Sequence, residues 1–157
     1  MSDNAELEIE RKYLLRGAPQ MPAPLEVYEI EQGYLPGVRL VERLRRQQSR
    51  AGDVRYFRTV KVSSGFQRIE LEEETDERTF AHLWQLTKGR QIRKRRYVVA
   101  DGDAHWEIDE FLDRPLWLAE LEIPTVETRI DIPDWLAQVL VRDVTEEREY
   151  TNRNLAR

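Results

Sequence analysis

The sequence predicts a mainly β (α+β) fold in which eight antiparallel strands close into a barrel, a tunnel with a charged interior and a few flanking helices. Three observations support this prediction. Charged and apolar residues alternate in many short segments, and turn signals such as Pro36-Gly37 and Asp101-Gly102-Asp103 separate several of them. Helical periodicity is confined to a few stretches. A chain of 157 residues suits one domain, which we place at residues 1–157.

The strands are predicted from a charged–apolar–charged pattern. Successive side chains of a strand point to opposite faces, so each such triplet puts two charges on one face and an apolar residue on the other. The pattern begins at Glu8-Ile9-Glu10 and continues to Lys12. It returns, in places as a close variant, at 43–45, 59–61, 70–72, 94–96, 107–109 and 120–122. We therefore predict strands at about 5–14, 29–34, 38–47, 54–62, 67–74, 92–99, 105–111 and 117–124.

Two amphipathic helices and one polar helical turn complete the predicted secondary structure. The apolar side of the first helix is formed by Phe80, Leu83, Trp84 and Thr87. Its N-cap is expected at Thr75 or Asp76 and its end before Gly89. The second helix is expected to begin at Asp134, and the polar turn to follow Thr145.

Composition restricts the function. The net charge of −5 argues against a general nucleic-acid binder, and the absence of cysteine excludes disulfides, thiolate metal sites and cysteine nucleophiles. The first residues resemble no signal peptide, and no apolar stretch approaches the ~20 residues that span a bilayer. A soluble, cytoplasmic protein is therefore expected.

The charged triplets segregate by sign, which favours an enclosed charged face over a solvent-facing one. Like charges two residues apart repel, so each pair needs opposite charges on neighbouring strands or a ligand. Closing eight strands with this face inward leaves room for one small ligand. Carboxylates suit Mg²⁺ or Mn²⁺, and arginine forks suit phosphate. The residues thus point to a metal-bound polyphosphate, although water-facing strands and an RNA-binding surface are alternatives.

The sequence resembles the CYTH-domain, or triphosphate tunnel metalloenzyme, superfamily. Its Glu-x-Glu-x-Lys motif is matched by Glu8, Glu10 and Lys12. The likeness continues through Gln32-Gly33-Tyr34-Leu35, the triplets above and the tail from Asp143 to Ala156, and so covers nearly the whole chain. The resemblance implies an eight-stranded tunnel that hydrolyses triphosphates with a divalent cation. The chain is most similar to the short bacterial members, several of which are inorganic tripolyphosphatases.

The resemblance also implies roles for individual side chains. The metal-binding carboxylates are expected to be Glu8, Glu10, Glu120 and Glu122. The substrate-binding cations are expected to be Lys12, Arg43, Arg45, Lys61, Lys94, Arg96 and, at the tunnel mouth, Arg148. The catalytic candidates are Lys94, Glu72, Asp109 and Tyr34. For the acids Glu70, Glu72 and Asp109 two roles are considered, support of the metal and activation of water. For Tyr34 the two roles considered are contact with the reacting phosphate and packing.

The predicted function is divalent-metal-dependent hydrolysis of inorganic tripolyphosphate to pyrophosphate and phosphate, with Mg²⁺ or Mn²⁺ as cofactor. One alternative is a class IV-type adenylate cyclase or a thiamine or nucleoside triphosphatase. Another is a non-catalytic polyphosphate- or RNA-binding module. The expected partner is a small triphosphate or polyphosphate, and neither a nucleic acid nor a membrane is expected. A homodimer is one alternative for the oligomeric state.

Overall fold

The computed structural model describes residues 9–64 and 67–157, apart from the side chains of residues 63, 64, 67 and 68. Its strands are β1 (Ile9–Leu15), β2 (Glu26–Tyr34), β3 (Val41–Ser49), β4 (Val54–Ser64), β5 (Gln67–Thr75), β6 (Gln91–Asp101), β7 (Ala104–Phe111), β8 (Trp117–Ile123) and β9 (Leu140–Asp143). Its helices are α1 (Glu77–Trp84), α2 (Asp134–Ala137) and α3 (Asn152–Leu155), with 3₁₀ turns at Gln85–Thr87 and Arg148–Tyr150. No helix in these described ranges is long and apolar enough to cross a membrane.

The strands form one antiparallel sheet in the order β5-β4-β3-β2-β6-β7-β8-β1-β9. The mainly β, antiparallel class is thus confirmed, and each of the eight predicted strands overlaps an observed one. The predicted residues 5–8 at the start of β1 lie outside the described part of the chain. The short ninth strand was not predicted.

The closed eight-stranded barrel is not confirmed. Among the described residues, β5 pairs only with β4 and β9 only with β1, so the hydrogen-bonded ladder stays open between β5 and β9. The reason is that β9 and the residue after it occupy the free edge of β1. Tyr13 pairs with Asp143, and the Val144 amide donates to the Lys12 carbonyl at 2.8 Å.

The two faces of the sheet differ in composition, as the alternation predicts. We call the face that carries Lys12 and Asp109 the inner face. The outer face holds the larger apolar cluster, built around Trp106 and Ile108, both fully buried. Residues after β8 cover this cluster, and Leu136 of α2 is fully buried in it. The helix α2 has only four residues, so neighbouring extended residues provide much of the cover.

Helix α1 holds β2 in place from outside. Its N-cap is Asp76, whose carboxylate accepts a hydrogen bond from the Thr79 amide at 2.7 Å. Phe80 stacks on Trp84 with ring centroids 5.1 Å apart. Gly33 of β2 lies directly beneath, because a Cβ there would come within 2.8 Å of the Trp84 ring. The helix therefore fixes the strand that carries Gln32 and Tyr34 on the inner face.

A second apolar cluster closes one end of the inner face. Sheet residues Tyr34, Ile92, Phe111 and Leu118 pack there against Val144 and Ala156, all buried. The two last residues belong to the C-terminal tail, which we define as residues 144–156. The tail is thus a floor for the inner face, and charged residues occupy the part above it.

Candidate active site

Charged side chains from most of the strands converge on one inner cavity of about 180 Å³. Its lining consists of Glu10, Arg43, Arg45, Lys61, Glu70, Glu72, Arg96, Glu107, Glu120, Glu122 and Asn152. The cavity shares Arg45, Arg96, Glu107 and Glu122 with a wider vestibule of about 680 Å³. The alternating triplets therefore bring charges from several strands to one inner cavity, at whose wall Glu72 and Glu122 are exposed to solvent.

Below the cavity lies a buried ionic cluster. The Lys94 ammonium is 2.7 Å from Asp109 Oδ2, and both side chains are fully buried. The Arg96 guanidinium donates to both Asp109 oxygens at 2.8 and 2.9 Å. Burial opposes ionisation of Asp109, but the charges of Arg96 and Lys94 outweigh it and hold the pKa of Asp109 well below its usual range. Asp109 thus fixes two cations beside the cavity.

Lys94 stays protonated at neutral pH despite its position. Burial, followed by the positive charge of Arg96, lowers the pKa of Lys94 to about 8. The Asp109 carboxylate opposes this shift. The residue is therefore a cation at pH 7 that loses its proton in mildly alkaline solution.

A second ion pair joins β1 to β8. Lys12 stands opposite Glu120 in the register, with Nζ 3.2 Å from Oε1. Burial would raise the pKa of Glu120, but the charges of Lys12 and Arg96 lower it to about 2. Lys12 Nζ also donates to the Tyr150 carbonyl at 3.1 Å, so this lysine links the sheet to the tail.

Three carboxylates of β1 and β8 form an oxygen-rich side of the cavity. Glu10 stands opposite Glu122 in the register, and all three of Glu10, Glu120 and Glu122 line the cavity. The negative charge of Glu120, followed by burial, raises the pKa of Glu10. Lys12, Lys61 and Arg96 offset this repulsion only in part, and oxygen ligands of this kind suit a hard divalent cation. Within the described residues no three metal-ligating side chains form a preassembled centre, and Glu8 lies outside those residues.

Two carboxylates of β5 and one hydroxyl of β4 contact Arg43. Its guanidinium lies 3.1 Å from Glu72 Oε2 and 3.6 Å from Glu70 Oε1, and it donates to the Thr59 hydroxyl at 3.1 Å. Lys61 lies 3.3 Å from the other Glu70 oxygen. This wall of the cavity therefore carries two cations and two carboxylates in contact.

Arg45 differs from every cation described above. Its Nε donates to the Gln32 side-chain oxygen at 3.2 Å, and no described carboxylate lies within ion-pairing distance of its guanidinium. Burial, followed by the positive charges of Arg43 and Arg96, lowers the pKa of Arg45 to about 9. The charges of Glu72 and Glu107 oppose this shift only in part, so an anion in the cavity would further stabilise the charged form of Arg45.

Five described residues of the predicted site do not line the cavity. Lys12, Lys94 and Asp109 belong to the ion pairs beside it, and Tyr34 and Arg148 are the other two. The Tyr34 hydroxyl accepts from Gln32 Nε2 at 2.8 Å, and its ring packs in the apolar floor. Burial raises the pKa of Tyr34. Arg148 lies exposed in the 3₁₀ turn Arg148–Tyr150. Their predicted catalytic and substrate-binding roles therefore lack a direct contact with the cavity.

The structure adds three residues to the predicted set. Gln32 is fully buried and connects Arg45 to Tyr34, Glu107 pairs with Arg96, and Asn152 lines the cavity from the tail. Strand alternation signals the first two, because each shares a face with a predicted residue two positions away. No periodic signal marks Asn152, which lies at the start of the four-residue helix α3.

Comparisons with known proteins show which family the chain is similar to. The chain is 34% identical to the inorganic triphosphatase of Nitrosomonas europaea, over 95% of this chain and 96% of that protein. It is 30% identical to the inorganic triphosphatase of Acetivibrio thermocellus, over 96% of this chain and 93% of that protein. A crystal structure of an inorganic triphosphatase superimposes with a TM-score of 0.67 at 32% identity, over 96% of this chain and 95% of the other. No family model matches the sequence.

Proposed function

The chain belongs to the inorganic triphosphatase family, and on this premise we propose that it hydrolyses inorganic tripolyphosphate to pyrophosphate and phosphate in the inner cavity. The reaction is an attack of water on phosphorus. One phosphoanhydride bond breaks, and the leaving oxygen departs with the pyrophosphate. Such a reaction needs positioning and stabilisation of negative charge more than covalent chemistry.

The observation that carries the proposal is that Arg45 lines the cavity with no carboxylate of the described residues in contact with it. Its neighbours Arg43 and Arg96 have carboxylate partners, whereas Arg45 has only the neutral Gln32 among the described residues. Arg45 is half-buried, and a cation that is partly removed from water without a carboxylate in contact is destabilising. A phosphate group supplies the missing charge, and a guanidinium fork can bind it through two parallel hydrogen bonds.

The other cations extend the phosphate site around the cavity. Arg43, Lys61 and Arg96 line it with Arg45, which gives four basic groups for one linear polyanion. Lys94 and Lys12 lie beside them in ion pairs with Asp109 and Glu120. We propose that these six side chains bind the phosphates. Electrostatic stabilisation of the charge that develops during bond breaking is the main contribution expected of them.

Asp109 has a positioning role in this proposal. Both of its oxygens accept hydrogen bonds from Arg96, and one also contacts Lys94. A carboxylate so engaged is held ionised and has little capacity to take a proton from water. Glu72 therefore remains the candidate for that step, because its carboxylate is 40% exposed at the cavity wall.

We propose that a divalent cation, Mg²⁺ or Mn²⁺, is held by Glu10, Glu120 and Glu122, with Glu8 as a further ligand from the sequence pattern. A cation held by these carboxylates would supply positive charge that offsets the charge of the phosphates and so favours attack by water. The support is the oxygen-only ligand set and the raised pKa of Glu10 beside Glu120. The three carboxylates proposed for the metal thus lie on the β1–β8 side of the cavity, and Arg45 lies on the β2–β3 side.

The test is colourimetric phosphate release from tripolyphosphate, ATP and thiamine triphosphate, each with Mg²⁺, with Mn²⁺ and with EDTA. The proposal predicts metal-dependent release that is fastest with tripolyphosphate. Turnover of ATP to cyclic AMP without release from tripolyphosphate would identify a cyclase instead. Saturable tripolyphosphate binding without any turnover would identify the protein as a non-catalytic binding module.

A further inference from the structure

Asn152 is the neutral residue among the charged groups that line the cavity. It belongs to the tail rather than to the sheet, at the first position of α3. No role was predicted for it from the sequence. Its hydrogen bonds show which part of its side chain faces the cavity.

The orientation of the Asn152 amide follows from its contact with Lys94. Lys94 Nζ lies 3.5 Å from Asn152 Oδ1 and 2.7 Å from Asp109 Oδ2. An ammonium only donates hydrogen bonds, so the amide must turn its oxygen toward Lys94 and its NH₂ group away. In the described part of the chain, Oδ1 is the only side-chain atom of Asn152 with a hydrogen-bond partner. The two N–H donors are therefore free for a ligand in the cavity.

Contacts on both sides of Asn152 hold the backbone that carries its amide. On one side, Lys12 Nζ donates to the Tyr150 carbonyl at 3.1 Å. On the other, the Thr151 hydroxyl caps α3 by accepting from the Asn154 amide at 3.3 Å, and Ala156 is buried in the apolar floor. Donors held rigidly before a ligand arrives stabilise charge without reorganising.

We propose that Asn152 is a substrate-binding residue whose side-chain NH₂ donates a hydrogen bond to a phosphate oxygen. The inference rests on the proposed function, because it requires a phosphate chain in the cavity. Asn152 and Lys94 would then approach the same phosphate group, one with a neutral donor and the other with a charge. The oxygen of the amide keeps Lys94 oriented while its nitrogen contacts the substrate.

The test compares Asn152→Asp with Asn152→Ala. Aspartate keeps an acceptor for Lys94 but has no N–H donor, and its charge repels phosphate. The inference predicts that Asn152→Asp lowers kcat/KM for tripolyphosphate by about 10- to 100-fold, at least as much as Asn152→Ala. The matched control is Asn154→Asp, since Asn154 bonds the Arg148 carbonyl within the tail and does not line the cavity. This control should stay within about threefold of the wild type.

Two kinetic results would overturn the inference. Wild-type kcat/KM in Asn152→Asp, with a loss in Asn152→Ala, would show that only the oxygen facing Lys94 matters. Equal losses in Asn152→Asp and Asn154→Asp would show that the tail merely needs to fold.

A binding measurement separates this inference from the proposed function. The side-chain NH₂ of Asn152 is assigned in ¹H–¹⁵N spectra by its absence in Asn152→Asp and is followed while metal-free tripolyphosphate is added. A saturable shift supports the contact even if the protein releases no phosphate, an outcome that would defeat only the proposed reaction. Saturable binding without any shift of this group would overturn the inference whatever the activity.

Discussion

Lys94 and Asp109 form an ion pair in which neither side chain is exposed to solvent and Nζ lies 2.7 Å from Oδ2. Arg96 completes the pair by donating to both carboxylate oxygens. Arg96 also pairs with Glu107 and lies 3.9 Å from Glu120, two carboxylates that line the cavity. Burying so many charges together is costly, which is why this network belongs with a polyanion site rather than with a packing core.

Asp109→Asn is expected to destabilise the protein strongly. It leaves two cations buried without their shared carboxylate, which costs about 3–5 kcal/mol of unfolding free energy when a buried pair is broken from one side. Urea denaturation measures the loss. The control is Asp131→Asn, because Asp131 and Arg129 form a pair whose carboxylate is 84% exposed, and its change should stay within about 0.5 kcal/mol. Similar small changes in both variants would contradict the assigned role of Asp109.

Arg45→Met should stabilise the ligand-free protein while it weakens substrate binding. The substitution keeps the volume and removes a half-buried cation that no described carboxylate contacts, so we expect the unfolding free energy to rise by about 1 kcal/mol. Tripolyphosphate should raise the Tm of the wild type but raise that of Arg45→Met much less. The control is Arg55→Met, which removes an exposed arginine paired with Glu74 and should keep the ligand-induced shift. A full shift in Arg45→Met would refute the phosphate contact.

The inner face of the sheet was predictable from sequence because strand alternation has a period of two residues. Glu10 and Lys12 therefore fall on one face of β1, and Glu120 and Glu122 on one face of β8, without any knowledge of the pairing. The partners of each cation were not predictable. Arg43 and Arg45 belong to one triplet, yet Arg43 stands opposite Thr59, within reach of Glu72, and Arg45 stands opposite Phe57. Strand register decides which arginine is left for a ligand.

The tail and the open edge of the sheet were beyond sequence reasoning for a different reason. β9 has four residues, too few for alternation to be recognised, and its pairing with β1 depends on contacts 130 positions away in the chain, between Tyr13 and Asp143. Asn152 likewise lies in a helix of a single turn. Long-range packing, which sets such elements, leaves no periodic trace in a short segment.

Activity should decline in alkaline solution as Lys94 loses its proton. Because the pKa of Lys94 is lowered to about 8, its charge is present below that pH and lost above it. We expect kcat/KM, which reports the free enzyme, to fall above about pH 8, and kcat to fall at higher pH because bound phosphate favours the charged lysine.

Lys94→Arg should move or abolish the alkaline limb, the decline of activity at high pH. Burial also lowers the pKa of Lys61, so Lys61→Arg is the companion variant. An unchanged limb in Lys94→Arg with a shifted one in Lys61→Arg would assign the titration to Lys61.

Gly33→Ala should weaken both stability and phosphate binding. A Cβ at Gly33 would lie 2.7 Å from the Thr87 side chain and 2.8 Å from the Trp84 ring, so either β2 or α1 must move. Overpacking of this kind costs about 1–3 kcal/mol. Movement of β2 displaces Gln32, whose oxygen holds Arg45, so KM for tripolyphosphate should rise as the unfolding free energy falls. Gly17→Ala is the control, since a Cβ there meets nothing within 4 Å and stability should be unchanged or slightly higher. Wild-type stability in Gly33→Ala would show that α1 does not constrain the strand.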